Sequence, residues 1–213
     1  MLLPVSAGVM AVRQDRRVSH LLMAVDDTGL EALTGLGRLM PADPGGTAPE
    51  PGPDAIRISV GKGPEPGRRS DLHVCIVAKR AGRSRHRGAR LRVSAAAELP
   101  AVLDDLIALT EQGLVAVSPE ELGWMLKTVP RAVGAYVSVP LESHRRLDEL
   151  QFSTTHLEAV VASVRIPDLG PGDELGFEAV NQIQLAFETS HHILINAVPA
   201  RSRTAHIGLF VWP

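Results

Sequence analysis

The chain has 213 residues, a net charge of −2 and a single cysteine, Cys75. This length allows a buried core without disulfides, and one cysteine excludes an intramolecular disulfide. No apolar run approaches the roughly 18 residues that a membrane-spanning helix needs, and the N-terminal charges follow the apolar stretch, the reverse of a secretory signal. We therefore expect a soluble, cytoplasmic protein that forms a single domain over residues 1–213.

The N-terminal part of the chain predicts two strands and a helix. Apolar residues without helical spacing indicate strands over 2–12 and 19–25. Thr28 and Glu31 form the capping-box pattern T-x-x-E, and leucines at near-helical spacing follow it. A short helix is therefore predicted over 29–39.

Long loops separate the next three predicted strands. Residues 41–54 contain five prolines and three glycines, which exclude a core element and indicate a surface loop. Short strands are predicted over 55–60, 72–78 and 89–95, and a basic loop, 79–92, joins the last two. Loops of this length are uncommon in compact domains and are usually functional or mobile.

Two helices are predicted in the middle of the chain. Apolar residues recur at i, i+3, i+4 and i+7 with Pro100 in the first turn, which predicts a helix over 99–112. Ser118 supplies an N-cap, a proline follows it, and Glu121 occupies the third helical position. This capping box predicts a second helix over 119–129.

The last third of the chain returns to strands, predicted over 132–140, 155–166, 192–198 and 206–212, and the final two are expected to form a hairpin. Residues 174–188 fit both a period of two and a helical period, and strand is favoured because the neighbouring elements are strands. The expected fold class is α+β, with a mainly antiparallel or mixed sheet, two central helices and a short N-terminal helix. The pattern does not show the strand–helix alternation of a doubly wound cofactor fold.

Familiar catalytic and cofactor motifs are partial or missing. The D-T-G at 27–29 resembles the triplet of aspartic proteases, but a helix pattern begins within it and no second copy follows. Capping of the helix is therefore the favoured role. The G-K-G at 61–63 lacks the flanking residues of a phosphate loop, and neither a nucleophile elbow nor a dinucleotide fingerprint is found. We expect no cofactor.

One cysteine–histidine pair falls on a predicted strand. His73 and Cys75 are two residues apart, so they share a strand face at a distance of about 6.6 Å. This separation is too long for a direct hydrogen bond. The apolar neighbours of Cys75 favour a buried, inert thiol over a nucleophile.

Eight histidines raise the question of a metal site. His156 and Glu158 share a predicted strand face and supply two potential ligands, yet the sequence fixes no third, and zinc sites need three or four. In the register of the predicted hairpin, His191 lies about 20 Å from the position opposite His206. We therefore expect no metal ion.

The basic loop, residues 79–92, carries no acid, and its positive residues are Lys79, Arg80, Arg83, Arg85, Arg87, Arg90 and Arg92. The rest of the chain then has a net charge of about −9. Closely spaced arginines between two strands suit contact with several phosphates. The candidate polyanion ligands are Arg80, Arg83, Arg85, Arg87 and Arg90. Nucleic acid, an anionic lipid surface or an acidic protein fits this charge; the alternative is a solvated loop.

These features favour a non-catalytic binding or assembly module that contacts a polyanion or phosphate-bearing ligand through the basic loop. A homo-oligomer is one form that such an assembly can take. The alternative is a small enzyme whose pocket is built from scattered His, Cys and Glu residues. A deep pocket holding several of those residues would favour the enzyme, and exposed apolar surface would favour assembly.

Overall fold

The computed structural model describes residues 8–11, 21–25, 56–61, 72–76, 89–115, 117–129, 133–150, 156–167, 174–200 and 205–213. Within these residues, nine strands form one sheet. In chain order they are β1 (Gly8–Ala11), β2 (Leu21–Val25), β3 (Ile56–Gly61), β4 (Leu72–Ile76), β5 (Ala89–Val93), β6 (Val133–Pro140), β7 (Ala159–Ile166), β8 (His192–Pro199) and β9 (His206–Trp212).

The sheet is mixed, with the strand order β1-β2-β3-β4-β5-β6-β9-β7-β8. Strands β2 to β6 run parallel to one another, β9 lies antiparallel between β6 and β7, and β8 pairs parallel with β7. The prediction of an α+β fold with a mixed sheet is confirmed. Its mainly antiparallel form is wrong, because parallel pairs are the more numerous among the described strands. Parallel neighbours need long connections, and the stretches of sequence before β3, β4 and β5 supply them.

Three α-helices lie within the described residues: α1 (Leu99–Ala108), α2 (Pro119–Thr128) and α3 (Glu174–Ala186). Two 3-10 helices, Ala96–Glu98 and Leu141–Glu149, accompany them. None of the described helices is both long and apolar enough to cross a membrane. The predicted helix over 29–39 falls outside the described residues.

A local sequence signal accounts for the start of α2, and a contact with a distant strand accounts for the end of α1. At the start of α2, the Ser118 hydroxyl accepts a hydrogen bond from the Glu121 N–H at 3.1 Å, and the Glu121 carboxylate accepts one from the Ser118 N–H at 2.9 Å. This is the predicted capping box. Helix α1 ends before the predicted boundary at 112 because the chain then turns onto β8, where the Leu114 N–H donates to the Ala197 carbonyl at 2.7 Å.

Both faces of the sheet are covered around β7 and β9. Helices α1 and α2 pack on one face, where their apolar side chains meet β3, β4, β5 and the Phe210 and Trp212 side chains of β9. Helix α3 and the 3-10 helix Leu141–Glu149 pack on the other face, against Ile207, Leu209 and Val211 of the same strand. Successive residues of a strand point to opposite faces, so β9 contributes to both cores.

The C-terminal strands β8 and β9 do not pair with each other, so the predicted hairpin is wrong. Every residue of β9 after His206 is buried, and a strand with two apolar faces belongs in the centre of a sheet. Strand β9 therefore inserts between β6 and β7. Strand β8 begins with three half-buried residues, and it takes the sheet edge beside β7 instead.

Residues 174–186 form helix α3, so the predicted strand over 174–188 is wrong. The side chains that fit only the strand period, Leu175, Phe177 and Leu185, are exposed. Side chains that fit the helical period, such as Ala179 and Ile183, are fully buried. The helical face thus packs on the sheet, and the neighbouring strands were not a guide to this segment.

Truncation of the chain after Pro199 is expected to abolish cooperative unfolding. The truncation removes β9, leaves β6 and β7 without the strand that pairs with both, and exposes the partners of Phe210 and Trp212, which are buried. Thermal melts followed by circular dichroism test this expectation. A control chain that lacks only the exposed Pro213 should melt like the full-length protein. A truncated chain that kept a cooperative melt near the full-length temperature would show that the core does not depend on β9.

Candidate functional site

The densest group of chemically active side chains in the described residues surrounds Asp105, on the sheet-facing side of α1. The Asp105 carboxylate is fully buried and accepts hydrogen bonds from the Tyr136 hydroxyl at 2.7 Å and the Ser163 hydroxyl at 3.3 Å. The Arg165 Nε lies 3.3 Å from the same carboxylate, and the His206 Nε2 lies 3.1 Å from it. These donors come from β6, β7 and β9. We call this group the Asp105 cluster.

Strand register explains why the donors meet. Ser163 of β7 lies beside Gly208 of β9, and Arg165 lies beside His206 in the same strand pair. All four residues point to the face of the sheet that α1 covers, because they are separated by two positions along their strands. Gly208 therefore lies at the centre of the group. A Cβ atom at this position would overlap the Asp105 carboxylate, so only glycine leaves room for the carboxylate to reach the sheet.

Arg165 is the main counter-charge of the cluster. Its side chain is almost fully buried, and its Nη2 donates to the Asp104 carboxylate at 2.8 Å and to the Asp104 carbonyl at 2.7 Å. The remaining Nη1 lies 3.7 Å from a Glu111 carboxylate oxygen. A buried guanidinium is costly unless paired, and here three carboxylates on α1 and the turn after it surround the cation. The arrangement fixes α1 on the sheet.

Tyr136 connects the cluster to β6. Burial, followed by the negative charge of Asp105 and the hydrogen bond to it, raises the pKa of the Tyr136 hydroxyl far above its ordinary value. The neutral phenol donates to Asp105, whereas a phenolate would lie buried beside a carboxylate. The structure therefore favours the protonated form of Tyr136 well above the pH at which a free tyrosine ionises.

Asn196 of β8 satisfies the end of α1. Its amide Nδ2 lies within hydrogen-bond distance of three carbonyl oxygens, those of Ala108, Leu109 and Glu111, at 2.9, 3.1 and 2.9 Å. The last carbonyls of a helix have no partner within the helix, so a side chain that reaches them replaces the missing hydrogen bonds. Asn196 is fully buried and lies beside Ser163, so the buried polar residues continue from the Asp105 cluster to the edge strand β8.

Most of the predicted polyanion ligands fall outside the described residues: Arg80, Arg83, Arg85 and Arg87. Arg90 lies in β5 and is half-buried, so the predicted basic loop over 79–92 is wrong for its last four residues, which belong to a strand. Its carbonyl accepts a hydrogen bond from the Trp212 indole N–H at 2.9 Å, and the indole crosses β6 over Gly134, where a Cβ atom would collide with it. The backbone of Arg90 thus contributes to the sheet.

The structure separates the candidate histidines of the sequence into distinct places. His206 belongs to the Asp105 cluster, whereas His156, Glu158 and His191 meet at the surface where β7 and β8 begin. Sequence analysis did not predict that His191 lies beside His156, because it paired β8 with β9 and not with β7. His73 and Cys75 lie in β4, and their side chains are outside the described part of the chain.

Comparison with known proteins identifies a fold but no family. No protein-family model matches the chain, and no curated protein matches it. A mutant FtsZ from M. jannaschii has a similar structure, with a TM-score of 0.55 and 12% identity over 88% of this chain and 69% of that chain. An empty FtsZ dimer from the same organism gives a TM-score of 0.55 and 11% identity over 88% and 67% of the two chains. Similarity at such low identity shows a shared fold alone.

The folded protein is expected to show no phenolate absorbance at pH values where free tyrosine ionises, near pH 10. Tyr136 is the chain's single tyrosine, so absorbance at the phenolate band reports on this residue alone. Its pKa is raised in the folded state, so the folded protein retains a proton that the unfolded chain loses, and stability falls as the pH rises through about 10. Phenolate formation before any loss of the circular dichroism signal would contradict this assignment.

Proposed function

We propose that the chain is a non-catalytic assembly module whose partner is a further copy of itself. The observation that carries this proposal is the fold, which resembles that of FtsZ, including an FtsZ structure that is a dimer. A shared fold does not establish a shared function, so the proposal also rests on the surface of this chain.

Large apolar side chains are exposed on the two faces of the molecule. They are Trp124 at 57% exposure, Leu185 at 62%, Phe177 at 47%, Leu175 at 41% and Val133 at 38%. Three of them project from α3, and Trp124 projects from α2, where its ring makes a T-shaped contact with the ring of His192. Aromatic side chains are enriched in the buried centres of protein interfaces, so this surface suits contact with another protein.

The polar groups of the described residues favour a binding role over catalysis. In the Asp105 cluster, the carboxylate is fully buried and is already held by Tyr136, Ser163, Arg165 and His206. A general acid or base must reach a substrate, whereas these groups are engaged with one another. The small-enzyme alternative would need its pocket elsewhere.

We also propose that the basic loop binds a polyanion. Its support is the charge of residues 79–92, seven positive residues without an acid in a chain of net charge −2. Phosphate contacts give affinity without sequence information, so such a loop would bring the assembly to an anionic surface or polymer without selecting one sequence.

Self-association should appear as a sedimentation coefficient that rises with protein concentration. The double variant Phe177→Asp/Leu185→Asp places two charges on the exposed side of α3, and we expect it to weaken association by roughly tenfold or more while the melt changes little. Gln184→Asp is the matched control, because this exposed residue adds a charge to the same helix without removing apolar surface. A wild-type protein that stays monomeric at all accessible concentrations would refute the proposal, and an unaffected double variant would exclude α3 as the contact.

Polyanion binding should weaken steeply with salt. We expect the wild-type protein to bind heparin or single-stranded RNA at low salt, and replacement of Arg80, Arg83, Arg85, Arg87 and Arg90 by Gln should reduce the log–log salt slope by about 0.7 to 0.9 per phosphate contact removed. A five-fold Arg→Lys variant keeps the charge and should keep most of the binding. No binding at roughly 50 mM salt, or equal salt slopes for all three proteins, would leave the loop as a solvated segment.

A further inference from the structure

The side chains of His156, Glu158 and His191 meet at the surface where β7 and β8 begin. The two strands run parallel, with Ala159 beside His192, so their first residues lie at the same edge of the sheet. Backbone hydrogen bonds fix this edge: the His191 N–H donates to the Leu157 carbonyl at 3.3 Å, and the His192 N–H donates to the Glu158 carbonyl at 3.1 Å. His156 therefore lies next to His191, although 35 positions separate them in the chain.

We propose that His156 and His191 bind a divalent transition-metal ion, such as Zn²⁺, Cu²⁺ or Ni²⁺, which keeps water in its other coordination positions. Imidazole nitrogen is a preferred ligand of these three metals. Both side chains are exposed, so an ion reaches them directly from solvent.

The spacing of the two rings matches two ligands on one ion. The ring centroids of His156 and His191 lie 4.7 Å apart, with an angle of 70° between the ring planes. A zinc–nitrogen bond of about 2.0–2.1 Å places each imidazole centroid roughly 3.2 Å from the metal. Two such rings then have centroids roughly 4.5 Å apart for a right angle at the metal and roughly 5.2 Å apart for a tetrahedral angle. The observed distance lies within this range.

Glu158 orients the His191 ring for metal binding. Its carboxylate oxygen lies 3.1 Å from the His191 Nδ1 and accepts a hydrogen bond from the N–H at that position. The neutral ring then has its lone pair on Nε2, which points the metal-binding atom away from the carboxylate. Carboxylate–histidine–metal arrangements of this kind fix the tautomer and increase the basicity of the ligand. Glu158 thus acts as a positioning residue.

The proposed site is open rather than enclosed. Among the described residues, no group of three or more His, Cys, Asp or Glu side chains is arranged to hold a metal ion. Two protein ligands leave the remaining positions of the ion to water or to an outside ligand, unlike the closed four-ligand sites that stabilise folds. The ion should therefore bind reversibly and should be removed by a chelator without unfolding the chain.

The test is isothermal titration calorimetry of the full-length, tag-free protein with ZnCl₂, NiCl₂ and CuCl₂. We expect one ion per chain, the strongest binding for Cu²⁺, and a loss of roughly tenfold or more in affinity for His156→Ala and for His191→Ala. Glu158→Gln should weaken binding by about tenfold or more with both histidines still in place. Lower pH should release the ion, because protonated imidazoles do not bind metals.

His192→Phe is the matched control. This residue is adjacent to the site, but its ring packs against Trp124, and phenylalanine preserves an aromatic contact there. The control should bind metal like the wild-type protein, and circular dichroism should show that all four variants are folded. Binding that survives both alanine substitutions, or no binding of any of the three metals by the wild-type protein, would overturn the proposal.

Discussion

A carboxylate buried between a helix and a sheet is the interaction on which the central part of this structure depends. Asp105 has no exposure, and an isolated buried charge would be strongly destabilising. Its partners come from three strands, through Tyr136, Arg165 and His206. They meet only if β9 lies between β6 and β7. The pairing of the Asp105 carboxylate and the burial of the apolar residues of β9 therefore favour the same strand order, with β9 between β6 and β7.

Apolar packing alone leaves the register of these strands loosely specified. The residues of β9 after His206 are buried on both faces, so sliding it by two positions would still bury apolar side chains. The Asp105 cluster removes that freedom, because Gly208 must lie under the carboxylate and Ser163 beside Gly208. A buried polar network that adds little net stability can still select one arrangement. We regard this as the role of the cluster.

Sequence reasoning succeeded where the signal is local. The capping box at Ser118 and the proline that follows it lie within one turn, so α2 was predicted with nearly its observed bounds. The pairing of β8 with β7 depends on residues far apart in the chain, and short-range hairpin logic could not find it. The sequence of α3 fits both a strand period of two and a helical period. Only the exposure of side chains such as Phe177 shows that the helical period is the one the chain uses. One signal was overlooked: apart from Ser163, Arg165 is the polar residue of a strand that is apolar on both faces, which indicates a buried acidic partner.

The edge strand β8 links the end of α1 to the proposed metal site. Its C-terminal half is covered, since Val115 bridges to Ala197 and Asn196 holds the end of α1. Its first residues are half-buried and lie beside Trp124 and the two surface histidines. An uncovered strand edge is a place where another chain can bind, and proteins usually protect it. Among the described residues, the backbone bridge to this edge falls on its C-terminal half, so the start of β8, with its aromatic and imidazole neighbours, is where the proposed metal ion or second copy would bind.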